Sequence, residues 1–125
     1  MTEADTPRVT NLEQVQDRLL AKARASRAQR AAETVFGDRD TLMRHTVMAM
    51  LEGVELPEHD SPPEASLQVL TGSVRLFGDA REWTLGACDL IAIPPERHSV
   101  TALADSVFIL TVRRAPASLR IGAQG

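Results

Sequence analysis

The imidazole and thiol side chains of this sequence, which suit catalysis or metal binding, are His45, His59, Cys88 and His98. A neutral imidazole binds divalent transition metals and also exchanges protons near neutral pH. A single histidine on a strand is, however, more often hydrogen-bonded than metal-bound. Cys88 falls in a turn, and no neighbouring residue in the sequence would activate its thiol, so we interpret it as a turn residue. Whether the histidines form a site depends on the elements that hold them.

One amphipathic helix is predicted near the start of the chain. Thr10 and Glu13 match the capping box, in which a threonine hydroxyl and a glutamate three residues later bind the first free N–H groups. From Leu12 onward, apolar residues recur at the spacing of one helical face, and basic residues mostly occupy the other directions. We expect a helix over residues 10–30 that packs against the rest of the chain, after a disordered leader over residues 1–9.

From residue 31 the hydrophobic period changes from that of a helix to that of a strand. Short runs rich in Val, Thr, Met and Leu are separated by turn signals containing Gly, Pro and Asp. The predicted strands are Ala31–Phe36, Thr41–Leu51, Ser66–Thr71, Val74–Phe77, Glu82–Leu85, Leu90–Ile93, Ser99–Leu103 and Val107–Arg113. This pattern favours an all-β sandwich or barrel over residues 31–114, followed by a frayed tail over residues 115–125.

Length and composition narrow the classes of function. A chain of 125 residues fits one domain, and its 43% hydrophobic and 25% charged residues are typical of globular proteins. Its single cysteine excludes an intrachain disulfide, and no apolar run is long enough to span a bilayer. Acidic residues predominate over residues 45–112, which disfavours binding to nucleic acid phosphates. We therefore expect a cytoplasmic protein that binds neither nucleic acid nor membrane.

The segment that leads to Gly72 resembles the first sequence motif of the cupins, which are small β-barrels with metal-binding histidines on neighbouring strands. That motif reads His-x-His-x3-Glu-x6-Gly, with the histidines and the glutamate directed into the barrel. Counting back from Gly72 places the glutamate position at Ala65, the second histidine at Ser61 and the first at His59. Glu64 lies next to the glutamate position, but alternation along a strand directs it to the opposite face.

A later segment resembles the second cupin motif, Gly-x5-Pro-x-Gly-x2-His-x3-Asn. Gly86, Pro94 and His98 are recognisable in it, although the spacing to the histidine is one residue short. Glu96 replaces the glycine after the proline, and Ala102 occupies the asparagine position. The resemblance covers roughly residues 42–112 and implies a double-stranded β-helix, the cupin jelly-roll barrel, with one N-terminal α-helix.

The resemblance implies His59 and His98 as metal ligands in one cavity. A catalytic metal site usually has three or more protein ligands, so a third ligand is needed. His45 is the candidate, because it shares a strand face with Met43 and Val47. The sequence allows this face to be either the interior or the exterior of the barrel, and His45 is a ligand only in the first case. A divalent transition metal is the candidate cofactor, whereas no catalytic residue and no residue for another cofactor is identified.

The interior of such a barrel should be apolar, because Ala65, Leu67 and Val69 share the inward face and Ile91 and Ile93 are expected neighbours. Two interpretations remain open, a filled core or a small apolar pocket with two histidines at its mouth.

Two functions agree with this barrel. The first is a small-molecule binding or sensing module with a degraded metal site and its ligand in the barrel. The alternative is a metal-dependent enzyme, such as a dioxygenase or an isomerase, with a non-standard ligand set. A homodimer is expected in either case, because the cupins it resembles commonly pair their barrels and an isolated small barrel leaves strand edges exposed.

Overall fold

The structure is a computed structural model that describes residues 7–59 and 62–116. The predictions of a disordered leader and a frayed tail fall mostly on residues outside these ranges. The described chain begins with one helix, α1 (Leu12–Ala25), and continues with nine strands. The strands are β1 (Arg30–Phe36), β2 (Met43–Met50), β3 (Glu55–His59), β4 (Glu64–Thr71), β5 (Ser73–Phe77), β6 (Glu82–Gly86), β7 (Leu90–Ala92), β8 (His98–Ala102) and β9 (Ser106–Arg113).

Helix α1 is shorter than the sequence predicted. Asn11, rather than Thr10, caps its first turn, and the Asn11 side chain accepts a hydrogen bond of 2.9 Å from the N–H of Gln14. Asparagine is at least as good as threonine at this position, which explains the shift of one residue. The helix ends at Ala25 instead of near Arg30, because β1 already begins at Arg30.

The nine strands form two antiparallel sheets that enclose the barrel. The order is β1-β2-β9-β4-β7 in the five-stranded sheet and β3-β8-β5-β6 in the four-stranded sheet. All eight strands predicted from the sequence are present, with ends that differ by up to two residues. Strand β3 was not predicted. It lies at the edge of its sheet and pairs with one neighbour only. Pro57, which has no N–H to donate, is tolerated in such an edge strand.

Strand β2 shows which face of the five-stranded sheet is inside the barrel. Met48 and Met50 pack in the interior, whereas Val47 and Ala49 pack beneath α1 on the outer face. The interior cluster also holds the residues predicted to face inward; these are Ala65, Leu67, Val69, Ile91 and Ile93. The deeper part of this cluster is fully buried, so the base of the barrel is a filled core.

Helix α1 covers the outer face of the five-stranded sheet, as expected from its apolar stripe. Val15, Leu19 and Ala23 are buried against that sheet. The Thr71 hydroxyl donates a hydrogen bond of 2.6 Å to the side chain of Gln16, which fixes the helix to β4. No helix in the described part of the chain is long and apolar enough to cross a membrane.

Candidate functional site

A β-bulge in β3 determines where His59 points. Leu56 pairs with Val100, and His59 pairs with His98. Three steps along β3 therefore correspond to two steps along β8, which means that β3 has one extra residue. Alternation alone would direct Leu56 and His59 to opposite faces, because they are three residues apart. The extra residue restores His59 to the face of Leu56, which packs in the barrel interior. The bulge therefore places the two histidines directly opposite each other.

The two imidazole rings are in contact. Their centroids are 4.3 Å apart and their planes are inclined at 65°. His98 is only 3% exposed, and its strand buries alternate residues in the pattern expected for an inward-facing histidine. His59 is the last residue of β3 and His98 is the first of β8. We call this end of the barrel the histidine end.

The hydrogen bonds at the histidine end determine which ring nitrogens are protonated. Nδ1 of His59 lies 2.9 Å from the carbonyl oxygen of Pro57, and Nδ1 of His98 lies 3.0 Å from that of Glu96. A carbonyl oxygen only accepts, so both Nδ1 atoms must donate. In the neutral rings, each Nε2 then carries a lone pair and acts as an acceptor.

The pKa of His98 is lowered from its usual value of 6.5. Burial is the main cause, since it disfavours the charged ring, and the neighbouring His59 adds to the effect. The Glu96 carbonyl and carboxylate act in the opposite direction but are weaker than burial. At neutral pH His98 is therefore a neutral acceptor.

His45 does not join this pair. It lies in β2 on the face shared by Val47 and Ala49, which is the outer face of the five-stranded sheet. Its Nδ1 lies 3.2 Å from the Thr111 hydroxyl and its Nε2 lies 3.4 Å from the Met43 sulfur. The interpretation of His45 as an inward-facing third ligand is wrong. His45 does share a strand face with Met43 and Val47, but the inner face of β2 is formed by its even-numbered residues.

Comparisons with known proteins agree with the barrel geometry. No family model matches the chain, and no curated protein matches it significantly. A conserved protein of unknown function from Streptococcus pyogenes has a similar structure, with a TM-score of 0.68, 20% identity, and coverage of 89% of this chain and 90% of that one. A cupin superfamily protein from Desulfitobacterium hafniense matches with a TM-score of 0.63 and 10% identity, over 69% of this chain and 78% of that one.

An RmlC-like cupin from Desulfovibrio desulfuricans matches along almost the whole of both chains. It covers 90% of this chain and 96% of its own, with a TM-score of 0.59 and 17% identity. This chain has the cupin fold. The resemblance drawn from the two sequence motifs is thereby confirmed for the fold, and identities this low do not extend it to an activity.

The histidine end does not fit the resident metal of the cupin motif. Ala65 takes the glutamate position on the inward face and offers no ligand. Glu64 is directed outward, as alternation predicts, and pairs with Arg113 at 2.5 Å. No group of three or more His, Cys, Asp or Glu side chains suited to a metal ion occurs within residues 7–59 and 62–116. The described residues thus supply two imidazoles where a catalytic metal usually needs three ligands.

Two surface ion pairs hold the loop that positions His98. Arg81 donates to Glu96 at 2.9 Å, and Arg97 donates to Glu58 in the bulge at 2.7 Å. The hydrogen bond from Arg81 holds the pKa of the Glu96 carboxyl below its usual value. The sequence showed Glu96 and Arg97 as charged loop residues, but their partners are 15 and 39 residues away, so the contacts depend on the fold.

Proposed function

We propose that this cupin-fold protein binds a small polar molecule at the histidine end of its barrel and serves as a binding or sensing module. The observation that carries the proposal is the pair of imidazole rings in contact, whose Nδ1 atoms are both bonded to backbone carbonyls. Both Nε2 atoms are left as acceptors above an apolar core. Such a site suits a ligand with a hydroxyl or N–H donor.

The filled base of the barrel limits the size of the ligand. Met50, Leu67 and Phe108 are fully buried, so the ligand has to sit at the histidine end rather than deep in the barrel. The sheets pack closely at the core, which favours a molecule of a few carbon atoms.

The alternative function, a metal-dependent enzyme, is supported by the same two Nε2 lone pairs, because neutral imidazole is the metal-binding form. Elemental analysis separates the two functions. The protein is refolded with excess iron, manganese, nickel or zinc and then freed of unbound metal. We expect less than one tightly held equivalent per chain. One equivalent that disappears in both His59→Ala and His98→Ala would favour the enzyme.

Binding itself is tested by nitrogen-15 imidazole shifts of the three histidines. The probes are small alcohols and hydroxy acids, namely propane-1,2-diol, glycerol, lactate and glycerate. At least one probe should move the Nε2 signals of His59 and His98 and leave those of His45 unchanged, because His45 lies on the outer face. If no probe moves the His59 and His98 signals, or if His45 responds equally, the binding proposal fails.

A further inference from the structure

Arg44 lies on the interior face of the barrel. It belongs to the even-numbered residues of β2, and Met48 and Met50 of that set pack in the interior cluster. Arg44 pairs with Val112 of β9, and Val112 pairs in turn with the inward-facing Ala65. Since side chains of paired residues share a face, these three side chains are on the same side of the sheet.

Arg44 also lies at the histidine end. Residues 43–44 begin β2, and their partners in β9 end that strand. The same partners pair with the first residues of β4, which begins five residues after His59 ends β3. A connection this short keeps the end of β3 and the beginning of β4 at one end of the barrel. Arg44 and the histidine pair therefore belong to the same end, on the two facing sheets.

In the described part of the chain, no carboxylate forms an ion pair with the guanidinium of Arg44. Other arginines pair with carboxylates, as Arg18 does with Glu33 at 2.8 Å and Arg113 with Glu64. By contrast, Nε of Arg44 is buried and has no hydrogen-bond partner in the described part of the chain. A buried donor without a partner is costly, and a guanidinium keeps its charge at any physiological pH. An arrangement of this kind favours the binding of an anionic acceptor from outside.

The neighbours of Arg44 on this face are consistent with a polar ligand. Thr46, two residues along the strand, has its hydroxyl 3.3 Å from that of Thr34, so the inner wall is polar for two consecutive inward positions. Ala65 stands where the cupin motif has glutamate, and it shares the Arg44–Val112–Ala65 row. A glutamate there would place a carboxylate near Arg44, whereas alanine leaves the positive charge of Arg44 to a ligand.

We propose that the ligand is a small hydroxycarboxylic acid whose carboxylate binds Arg44 and whose hydroxyl donates to Nε2 of the histidine pair. This inference rests on the proposed function and adds the chemical class of the ligand. A guanidinium binds a carboxylate through two parallel hydrogen bonds, and an unprotonated Nε2 accepts from a hydroxyl. The Arg44 guanidinium and the histidine pair lie on the two facing sheets at one end of the barrel. A short molecule with a carboxylate and a hydroxyl can therefore bind both.

The test compares each acid with the alcohol in which CH2OH replaces its carboxylate. The pairs are glycolate with ethylene glycol, lactate with propane-1,2-diol, and glycerate with glycerol, and binding is followed by imidazole shifts and calorimetry. At least one acid should bind about tenfold or more tightly than its alcohol, since a hydrogen bond to a charged group is worth at least that ratio. Arg44→Met should abolish the preference for the acid.

Arg75→Met is the matched control. Arg75 is also a strand arginine, but it alternates with the buried Val74 and Leu76 and so points away from the interior. This variant should keep the preference for the acid. A second readout is thermal stability without ligand: Arg44→Met should be as stable as the wild type or more stable, because the unpaired buried donor is removed.

The outcomes separate the two proposals. If the alcohols bind as tightly as the acids and move the His59 and His98 signals, the carboxylate inference fails and the binding function stands. If acids bind through Arg44 without moving either histidine signal, the histidine pair is not the binding site and the proposed function fails. A clear loss of stability in Arg44→Met would indicate a structural arginine and also overturn the inference.

Discussion

The side chain of Ser106 occupies the space that a β-carbon on residue 72 would need. Gly72 has a positive φ of 87°, and a β-carbon there would lie 2.5 Å from the carbonyl oxygen of Asp105 and 2.8 Å from the Cα of Ser106. Ser106 is fully buried, and its hydroxyl donates to the Ser73 carbonyl and accepts from the Ser73 N–H. The motif glycine is therefore a point of close contact between the β4–β5 turn and β9.

Gly72→Ala should destabilise the protein strongly, because the substitution combines left-handed backbone strain with a clash against backbone atoms that cannot move aside. Gly53→Ala is the control, since Gly53 also has a positive φ but has open space around its β-carbon position. Strain alone should cost Gly53→Ala about 1 kcal/mol, and the clash should cost Gly72→Ala roughly 1–3 kcal/mol more. Chemical denaturation measures both values, and equal losses would contradict the close-contact interpretation.

The stability of the protein should fall as the pH drops below about 6.5, because of His98. Its pKa is lower in the folded protein than in the unfolded chain, so the unfolded chain binds more protons between those two pKa values. Stability is then fully present above the unfolded pKa and is lost as the pH falls towards the folded one. The midpoint of thermal unfolding between pH 7.5 and 5 measures this loss.

His98→Asn is the matched variant for the pH experiment. Asparagine keeps an N–H donor for the Glu96 carbonyl but does not titrate in this range. The wild type should lose more stability than His98→Asn over the same pH interval. Parallel curves for the two proteins would show that His98 does not carry the pH dependence.

Cys88→Gly should leave the protein equally stable or slightly more stable. Cys88 is exposed and has a φ of 73°, a left-handed conformation that costs a residue with a side chain about 1–2 kcal/mol and glycine nothing. Ala87→Gly, one residue earlier and also exposed, should instead lose about 0.4–1 kcal/mol through the greater freedom of the unfolded chain. If both variants lose the same amount in denaturant titrations, backbone strain at Cys88 is absent.

We expect a homodimer that uses the outer face of the five-stranded sheet around the end of β1 and the start of β2. Phe36 and Met43 are exposed there by 52% and 49%, and β1 is the edge strand. Sedimentation at roughly tens of micromolar should show a dimer, and Met43→Glu should convert it to a monomer. Leu90→Glu, at a 65% exposed residue on the opposite edge strand, should leave the dimer intact. A monomeric wild type at that concentration would contradict the expectation.

The sequence predicted most of the fold because alternation and turn residues are local signals. Runs such as β4 and β5 carry both signals, with Gly72 between them, and the predicted inward residues of β4 are correct. Strand β3 was missed because Pro57 and the bulge interrupt its alternation. The pairing of His59 with His98, which returns His59 to the inner face, is a long-range contact that local signals do not show.

The positions of the candidate site residues were predicted only in part, for the same reason. The motif resemblance identified His59 and His98, and the structure places them in contact. Alternation in β2 separates His45 from Arg44, but it does not say which of the two faces inward, because Val47 and Met48 are both apolar. Only the position of α1 resolves that choice, and it requires the whole fold.

The bulge in β3 makes the direction of the histidine depend on the number of residues that precede it. An in-frame deletion of a single codon between Leu56 and His59 would remove the extra residue and leave the histidine two residues after Leu56, so ordinary alternation would still direct it inward, opposite His98. A deletion of both codons would leave it one residue after Leu56 and turn it to the outer side of the sheet. The barrel core would be unchanged in either case, since the affected segment is an exposed edge strand. A gene that has lost one codon would therefore keep both histidines at the histidine end, whereas a gene that has lost two would encode a folded protein with one.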